Sequence, residues 1–390
     1  MTSDYPRTFW LLVAGTLVNR IGLLVLPFLS LYLTAARGLT VTQATLVIGL
    51  HGAGSFAAGI TGGALADAVG RKTVLVGSLA GGAVLMASIP LAAGFAGLAA
   101  LVLAYGFVGE MYRPAVSAVV ADTVDPARRK RAFALLYWAI NVGAALGPAL
   151  GGLLAEHSFR LLFTADAATM AVYAAVVAVG VAETRPERPP AVPGARGALA
   201  GALRDRRLVG LTLVTFAVGA AFVQSYTTLP LAMRAQGIAP GAYGLVIGLN
   251  GLLVVLLSLP VARWMEARHR PGVLAGAVVL IALGIGTYAL AETAWGYAAG
   301  VVLWSVGEVA FLPVLPAIVA SLAPERARGT YQGVHQSGWG LAHTAGPLAG
   351  GAVLTAFGAD ALWTAGLALC LVAAVAIALG DLDRPDEPAT

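Results

Sequence analysis

LVIGLHG, at residues 46–52, returns 199 positions later as LVIGLNG, at residues 245–251, with only His51 exchanged for Asn250. The chain is 390 residues long, so that offset is close to half of it. Three further pairs keep nearly the same spacing. VGEMYRPA (108–115) and VGEVAFLP (306–313) set Glu110 and Glu308 198 apart, GPALGG (147–152) and GPLAGG (346–351) lie 199 apart, and Pro126 and Pro324 lie 198 apart. The sequence is one unit written twice in parallel. Repeats of this kind in membrane proteins place a site near the bilayer midplane between the copies.

Composition says what the unit is made of. Hydrophobic residues are 59% of the chain and charged residues 11%, against roughly 45–50% and about 25% in a soluble domain. So few charges cannot cover a globular surface in water. Twelve apolar runs, spans one to twelve at 8–35, 43–66, 73–93, 96–121, 132–155, 160–181, 208–233, 242–262, 272–291, 294–321, 330–356 and 361–380, are long enough to cross a bilayer, each near the roughly 20 residues that a crossing needs. Six precede and six follow ETRPERPPAVPGARGALAGALRDRR (183–207), a Pro- and Arg-rich stretch read as a linker with a short surface helix over 197–207. The expected organisation is a bundle over 1–182, a cytoplasmic linker over 183–207 and a second bundle over 208–390. The expected fold class is all-α, two six-helix bundles related by pseudo-twofold symmetry. The first apolar run has no small-residue cleavage site at its end, so it reads as span one and not as a cleavable signal. Cys370 is the single cysteine, which rules out an intrachain disulfide.

The basic pI is a topology signal. Of 24 Lys and Arg, 19 fall on the side that holds both termini and the linker, three on the other side, and Arg20 and Arg113 inside spans. The positive-inside rule then puts both termini in the cytoplasm. Nucleic acid is not an expected partner.

GALADAVGRK (63–72) lies between spans two and three. Gly63 and Gly70 suit close approach and a tight turn, Asp67 can accept from a helix N-terminus or a basic group, and Arg71 and Lys72 suit the cytoplasmic face. The stretch resembles the signature of the major facilitator superfamily, with Ala68 where a basic residue is frequent. The resemblance extends over the twelve spans, the linker and the repeat. It implies a gating role for the loop. A purely topological basic loop is the alternative. GAALGPALGG (143–152) in span five resembles the motif of the antiporter branch, although the earlier glycine position of that motif is Ala134 here. Gly143, Gly147 and Gly151 form one stripe for close packing, joined by Pro148 and Gly152. Generic small-residue packing is the alternative. NRIGLLVLPFLSLYL (19–33), RDRRLVG (204–210), VARWMEARHR (261–270) and ERARGTYQG (325–333) are similar to the MdtH-type branch of drug:proton antiporters.

Ionisable side chains inside spans are functional candidates. Glu110 and Arg113, three apart on span four, are expected to pair, with Arg20 of span one beside them. A permanent structural cluster is the alternative. Glu308 is the matching carboxyl of span ten, and Phe311 stands where Arg113 stands in the first half. Glu110 and Glu308 are the proton-coupling candidates, since desolvation disfavours an ionised carboxyl. Asp166 lies nearer the end of span six and reads as a packing or interfacial residue. Asn19, Arg20, Arg113, Asn141, Gln224, Tyr226, Asn250, Gln336, Trp339 and His343 are candidates to line a substrate cavity. His335, Trp339 and His343, spaced at four, are expected on one face of span eleven. Tyr105 stands where many drug exporters of the family carry an arginine.

No enzyme signature or metal-spaced cluster occurs, so neither catalysis nor a cofactor is expected. The expected activity is proton-driven export of small amphipathic compounds by a bacterial inner-membrane protein, working as a monomer with the proton gradient as energy source. A proton-coupled importer of a sugar, peptide or organic anion is the first alternative, favoured by Arg20 and Arg113. A non-transporting sensor is the second.

Overall fold

The computed structural model describes residues 5–184, 195–266, 272–324 and 327–380. Of the basic residues counted on the cytoplasmic side, Arg185, Arg188, Arg268, Arg270, Arg326 and Arg384 lie outside them, as does most of the second-half loop after span eight. Among the described residues, eleven helices are long and apolar enough to cross a membrane. Ten of them match spans one to ten. The eleventh, Arg328–Leu379, has 52 residues, which is about 78 Å of helix against a hydrocarbon core of about 30 Å. Gly358, at φ 85°, breaks it in two. That residue separates spans eleven and twelve and restores the expected twelve.

Helix ends follow local chemistry. Span two opens with a capping box, Gln43 N donating to the Thr40 hydroxyl at 3.2 Å and Thr40 N to the Gln43 side chain at 3.0 Å. It closes at Gly70, whose φ of 110° suits glycine. The linker helix spans Ala195–Arg204, a few residues earlier than expected, and packs on span seven and on the long helix Arg328–Leu379. It ends where Asp205 caps span seven, accepting from the amides of Arg207 at 3.0 Å and Leu208 at 3.2 Å.

Contacts divide the chain into two compact units, residues 1–190 with 239–252, and residues 191–238 with 253–390. The first half of span eight is therefore grouped with the first unit and not with 208–390. Within that unit Gly241 N donates to Glu156 at 2.9 Å. Gly244, Gly248 and Gly251 lie directly against the backbone of Pro148 and Ala145. Glycines on both helices remove the side chains that would hold the backbones apart.

Among the described residues, spans one, four, seven and ten are interrupted, at equivalent places in the two repeats. Span one stops at Ile21 and resumes in the turn Leu26–Phe28. Span four runs Gly94–Glu110 and then Tyr112–Thr123. Span seven runs Arg206–Phe222, Gln224–Thr227 and Leu229–Ala235. Span ten runs Ala294–Phe311 and then Leu315–Leu322. A proline lies in or just after each interruption: Pro27, Pro114, Pro230 and Pro313. A proline lacks the N–H that would bond four residues back, and its ring clashes with that carbonyl.

Candidate functional site

In the first unit the break in span four sets the charges. Glu110 is the last residue before it and Arg113 lies in the first turn after it. The two form an ion pair, as their spacing predicts. Glu110 is 4% exposed and Arg113 46%. Ser78 of span three stitches the break, its hydroxyl donating to the Val108 carbonyl at 2.6 Å and accepting from Tyr112 N at 3.0 Å. Tyr112 OH in turn accepts from Asn19 of span one at 3.1 Å. Arg20 and His51 both act electrostatically on Glu110. Among the described residues Arg20 closes no salt bridge. His51 stacks on Tyr105 at 5.5 Å between ring centres. Asn19, Arg20, His51, Tyr105, Glu110 and Arg113 thus meet in one region. Asn141 is tied instead to its own helix, donating to the Tyr137 carbonyl at 2.9 Å.

Asp166 is a packing residue, as its sequence reading allowed, with partners that the reading did not name. It is 1% exposed, and one of its oxygens accepts from Leu24 N at 3.2 Å and Val25 N at 3.1 Å, the amides left open by the break in span one. An aspartate within a span was the available signal. Its partners were not legible, because main-chain amides carry no residue identity.

Gly143, Gly147 and Gly151 of span five pack on the same break, and Gly152 packs on span eight. A side chain at Gly143 would run into Arg20. One at Gly147 would sit 3.1 Å from the Arg20 carbonyl and 3.3 Å from that of Ile21. At Gly151 it would sit 2.8 Å from the Phe28 ring, and at Gly152 2.9 Å from Gly241. Span five continues as helix through Pro148.

In the second unit Phe222 is central. Its ring lies 5.9 Å from Tyr226, 4.9 Å from Trp304 and 6.0 Å from Trp339, and Trp339 lies 5.9 Å from His343. Glu308 acts electrostatically on Tyr226. Phe222 was missed because an apolar residue in an apolar span gives no signal. Gln224 is buried and fully engaged: its amide donates to the carbonyls of Ala220 and Gly346, and its oxygen accepts from Thr227 and Thr228. Gln336 and His343 are exposed on span eleven. His335 does not share their environment. It is buried against Thr215 at 2.9 Å, because four-residue spacing drifts around a helix of 3.6 residues per turn. Trp304 is a core residue, fully buried and donating to Tyr288 OH at 2.7 Å. Asn250, also buried, belongs to the first unit.

The signature loop is held from three sides. Arg71, 11% exposed, pairs with Asp122 at the end of span four and with Asp67 at 3.4 Å, and donates to the Ala118 carbonyl at 3.1 Å. Glu183, just after span six, accepts from the amides of Arg71 at 2.7 Å, Lys72 at 3.2 Å and Thr73 at 3.4 Å. It supplies the acceptor that Gly70 cannot, where the helix dipole favours an anion. Burial works against its charge, but the amides of Lys72, Arg71, Thr184 and Thr73 outweigh this and hold the Glu183 carboxyl below the usual range. Asp122 and Glu183 were not among the sequence candidates. Gly63 makes no close approach: a side chain there would meet nothing within 4 Å, while one at its neighbour Gly62 would meet Pro114 and Met111.

Comparison with known proteins agrees with this architecture. The family model described as Major Facilitator Superfamily matches residues 11–238 and 211–390. An uncharacterized MFS-type transporter, YqjV of Bacillus subtilis, is 26% identical over 367 residues, 91% of this chain and 88% of that protein. The multidrug resistance protein MdtH of Klebsiella pneumoniae is 28% identical over 358 residues, 88% of this chain and 85% of that one. Among solved structures, a bacterial homolog of the human lysosomal transporter Spinster superposes with a TM-score of 0.80 at 16% identity, covering 98% of both chains. A peptide transporter POT bound to alafosfalin gives 0.79 at 19% identity, covering 97% of this chain and 95% of that one. The chain belongs to the Major Facilitator Superfamily, a family of membrane transporters and not of enzymes.

Proposed function

We propose that this protein is a proton-coupled exporter of small amphipathic compounds, working by alternating access in a bacterial inner membrane with both termini in the cytoplasm. The observation that carries the reading is the buried Glu110, paired with Arg113 at the break of span four, with a second carboxyl, Glu308, at the matching place in span ten. A carboxyl held inside a span is an expensive arrangement with a ready use in proton exchange. The aromatic group of Phe222, Tyr226 and Trp339 gives an amphipathic substrate flat apolar surfaces, and His343 adds a polar edge. The likeness to multidrug resistance proteins supports export. Asp67 and Arg71 act as the gate, and no cofactor beyond the proton gradient is needed.

A second reading is import of an anionic or zwitterionic compound. Arg113 is half-exposed and Arg20 closes no salt bridge among the described residues, so two cations are placed to meet a negative group.

The test is flux in liposomes holding a pH dye, under an imposed proton gradient, with cationic amphiphiles and small anions as candidates. Proton movement opposite to substrate movement is expected. Movement in the same direction selects the importer. Glu308→Gln is expected to remove the pH dependence of transport. A wild-type pH profile in that variant would reject its role.

A further inference from the structure

Span one is interrupted inside the bundle, and what holds the interruption is charged. Between Ile21 and Leu26 the chain is not helical. A main-chain amide inside a membrane protein must find a protein partner, because lipid offers none. Leu24 N and Val25 N find theirs in a single carboxylate oxygen of Asp166, from span six. Asp166 is buried and, among the described residues, forms no salt bridge. Glu110 and Tyr105, both on span four, are the ionisable side chains that feel its charge. On the other side of the break the carbonyls of Arg20, Ile21, Leu23 and Leu24 lie against the glycines of span five. Thr169, one turn after Asp166, packs where Gly22 has no side chain.

The clamp has a consequence for the charge site. Arg20 occupies the last turn of helix before the break, and Glu110 feels its charge. The angle and depth at which the helix stops therefore decide where the guanidinium sits.

The second half shows that the repeat does not demand this arrangement. Offsets of 198–200 from Asp166 fall on Thr364, Ala365 and Gly366, and those from Arg20 on Val218, Gly219 and Ala220. The break in span seven is held by the Gln224 amide from within the same span, reaching to Gly346 of span eleven. Carboxylate clamp and in-span arginine occur together in the first half, and neither has a counterpart at the matching positions of the second.

We infer that Asp166 is a positioning residue of the charge site: by holding the amides of Leu24 and Val25 it fixes the break in span one and, through it, the placement of Arg20 toward Glu110. The inference rests on the charge site described above. It does not depend on the direction of transport or on proton coupling.

The test reads stability and structure, not flux. Melting of the purified full-length protein is measured for Arg20→Gln, Glu110→Gln and the double variant, in the wild type and in Asp166→Asn and Asp166→Ala backgrounds. The non-additive part of the melting shift reports the coupling of Arg20 to Glu110. Coupling is expected in the wild type. It is expected to survive Asp166→Asn, which keeps an acceptor oxygen, and to vanish in Asp166→Ala. Hydrogen exchange over residues 22–26 should quicken about tenfold in Asp166→Ala, as expected for loss of one to two buried amide bonds, and stay near wild type in Asp166→Asn. If Asp166→Ala does not accumulate, Asp166→Ser, with a shorter and weaker acceptor, should give intermediate coupling. A purely structural role would lower every melting point equally and leave the coupling intact. That result, or no coupling in the wild type, or unchanged exchange, overturns the inference. A protein that imports, or moves no protons, leaves the test unaffected.

Discussion

Spans one and seven stand at matching places in the two repeats, and both are interrupted near a proline and packed against glycines of the fifth span of their half. They differ in what holds the interruption. In span one it is a carboxylate from span six; in span seven it is the uncharged Gln224 amide. Span four against span ten repeats the contrast, with Glu110 and Arg113 in one and Glu308 and Phe311 in the other. The repeat has kept its backbone geometry, set by proline and glycine, and has let its charges diverge. A backbone interruption needs only a polar partner, an acceptor for its open amides in span one or a donor to a main-chain carbonyl in span seven. A buried charge needs a specific opposite charge, so it survives only where a use or a partner retains it.

The largest way to break this contrast is at the ion pair. Glu110→Gln leaves Arg113 without its carboxylate and is expected to destabilise the protein by about 2–3 kcal/mol, the low side for breaking a buried pair because Arg113 is half-exposed. Unchanged thermal melting would remove the pair from the structural account. Next comes backbone packing. Gly143→Ala drives a methyl into the Arg20 backbone at 2.8–3.0 Å, whereas Gly346→Ala meets one Val223 methyl at 2.6 Å and the backbone, that of Ala220, only at 3.3 Å. The first should cost about 1–3 kcal/mol by overpacking and the second visibly less. Equal melting shifts would show that both breaks are equally yielding.

A smaller effect is expected at the signature loop. Glu183→Gln weakens the cap on span three, by about 0.5–1 kcal/mol given how open the site is. The folded Glu183 carboxyl lies below its unfolded value. Its contribution is thus fully present above the unfolded value, about 4.3, and is lost as pH falls through the lower folded value. The melting difference between wild type and variant should hold constant near neutrality and close in acid. A gap that persists well below that range would mean the carboxylate charge is not what caps the helix. The smallest effect is expected at Gly63→Ala, within about 0.5 kcal/mol, because that position faces open space while Gly62 does not. A large loss would show that Gly63 is approached in a state other than this one.

Legibility followed the kind of signal. The pairing of Glu110 with Arg113 could be read because both partners are charged side chains at helical spacing. The glycine stripe of span five could be read as a packing surface, but not that it packs on the break of span one. Asp122 and Glu183 escaped because each lies far along the chain from the loop it holds. Phe222 escaped because hydrophobic side chains give no contrast inside a hydrophobic span. His335 shows the limit of spacing arguments: it follows the same interval as Trp339 and His343 and is buried away from them.

What the sequence by itself determined is the membrane character, the twelve crossings, the doubling and the family. These are written in composition, run length, repeat offset and signature, all of which are local or statistical properties of the chain. What only the tertiary structure decided is who serves the main chain: Asp166 on the open amides of span one, Glu183 on those of span three, Ser78 across the break of span four. Main-chain N–H groups are the same at every position. Only the folded backbone shows which of them a break has left open, and which distant side chain has come to meet them.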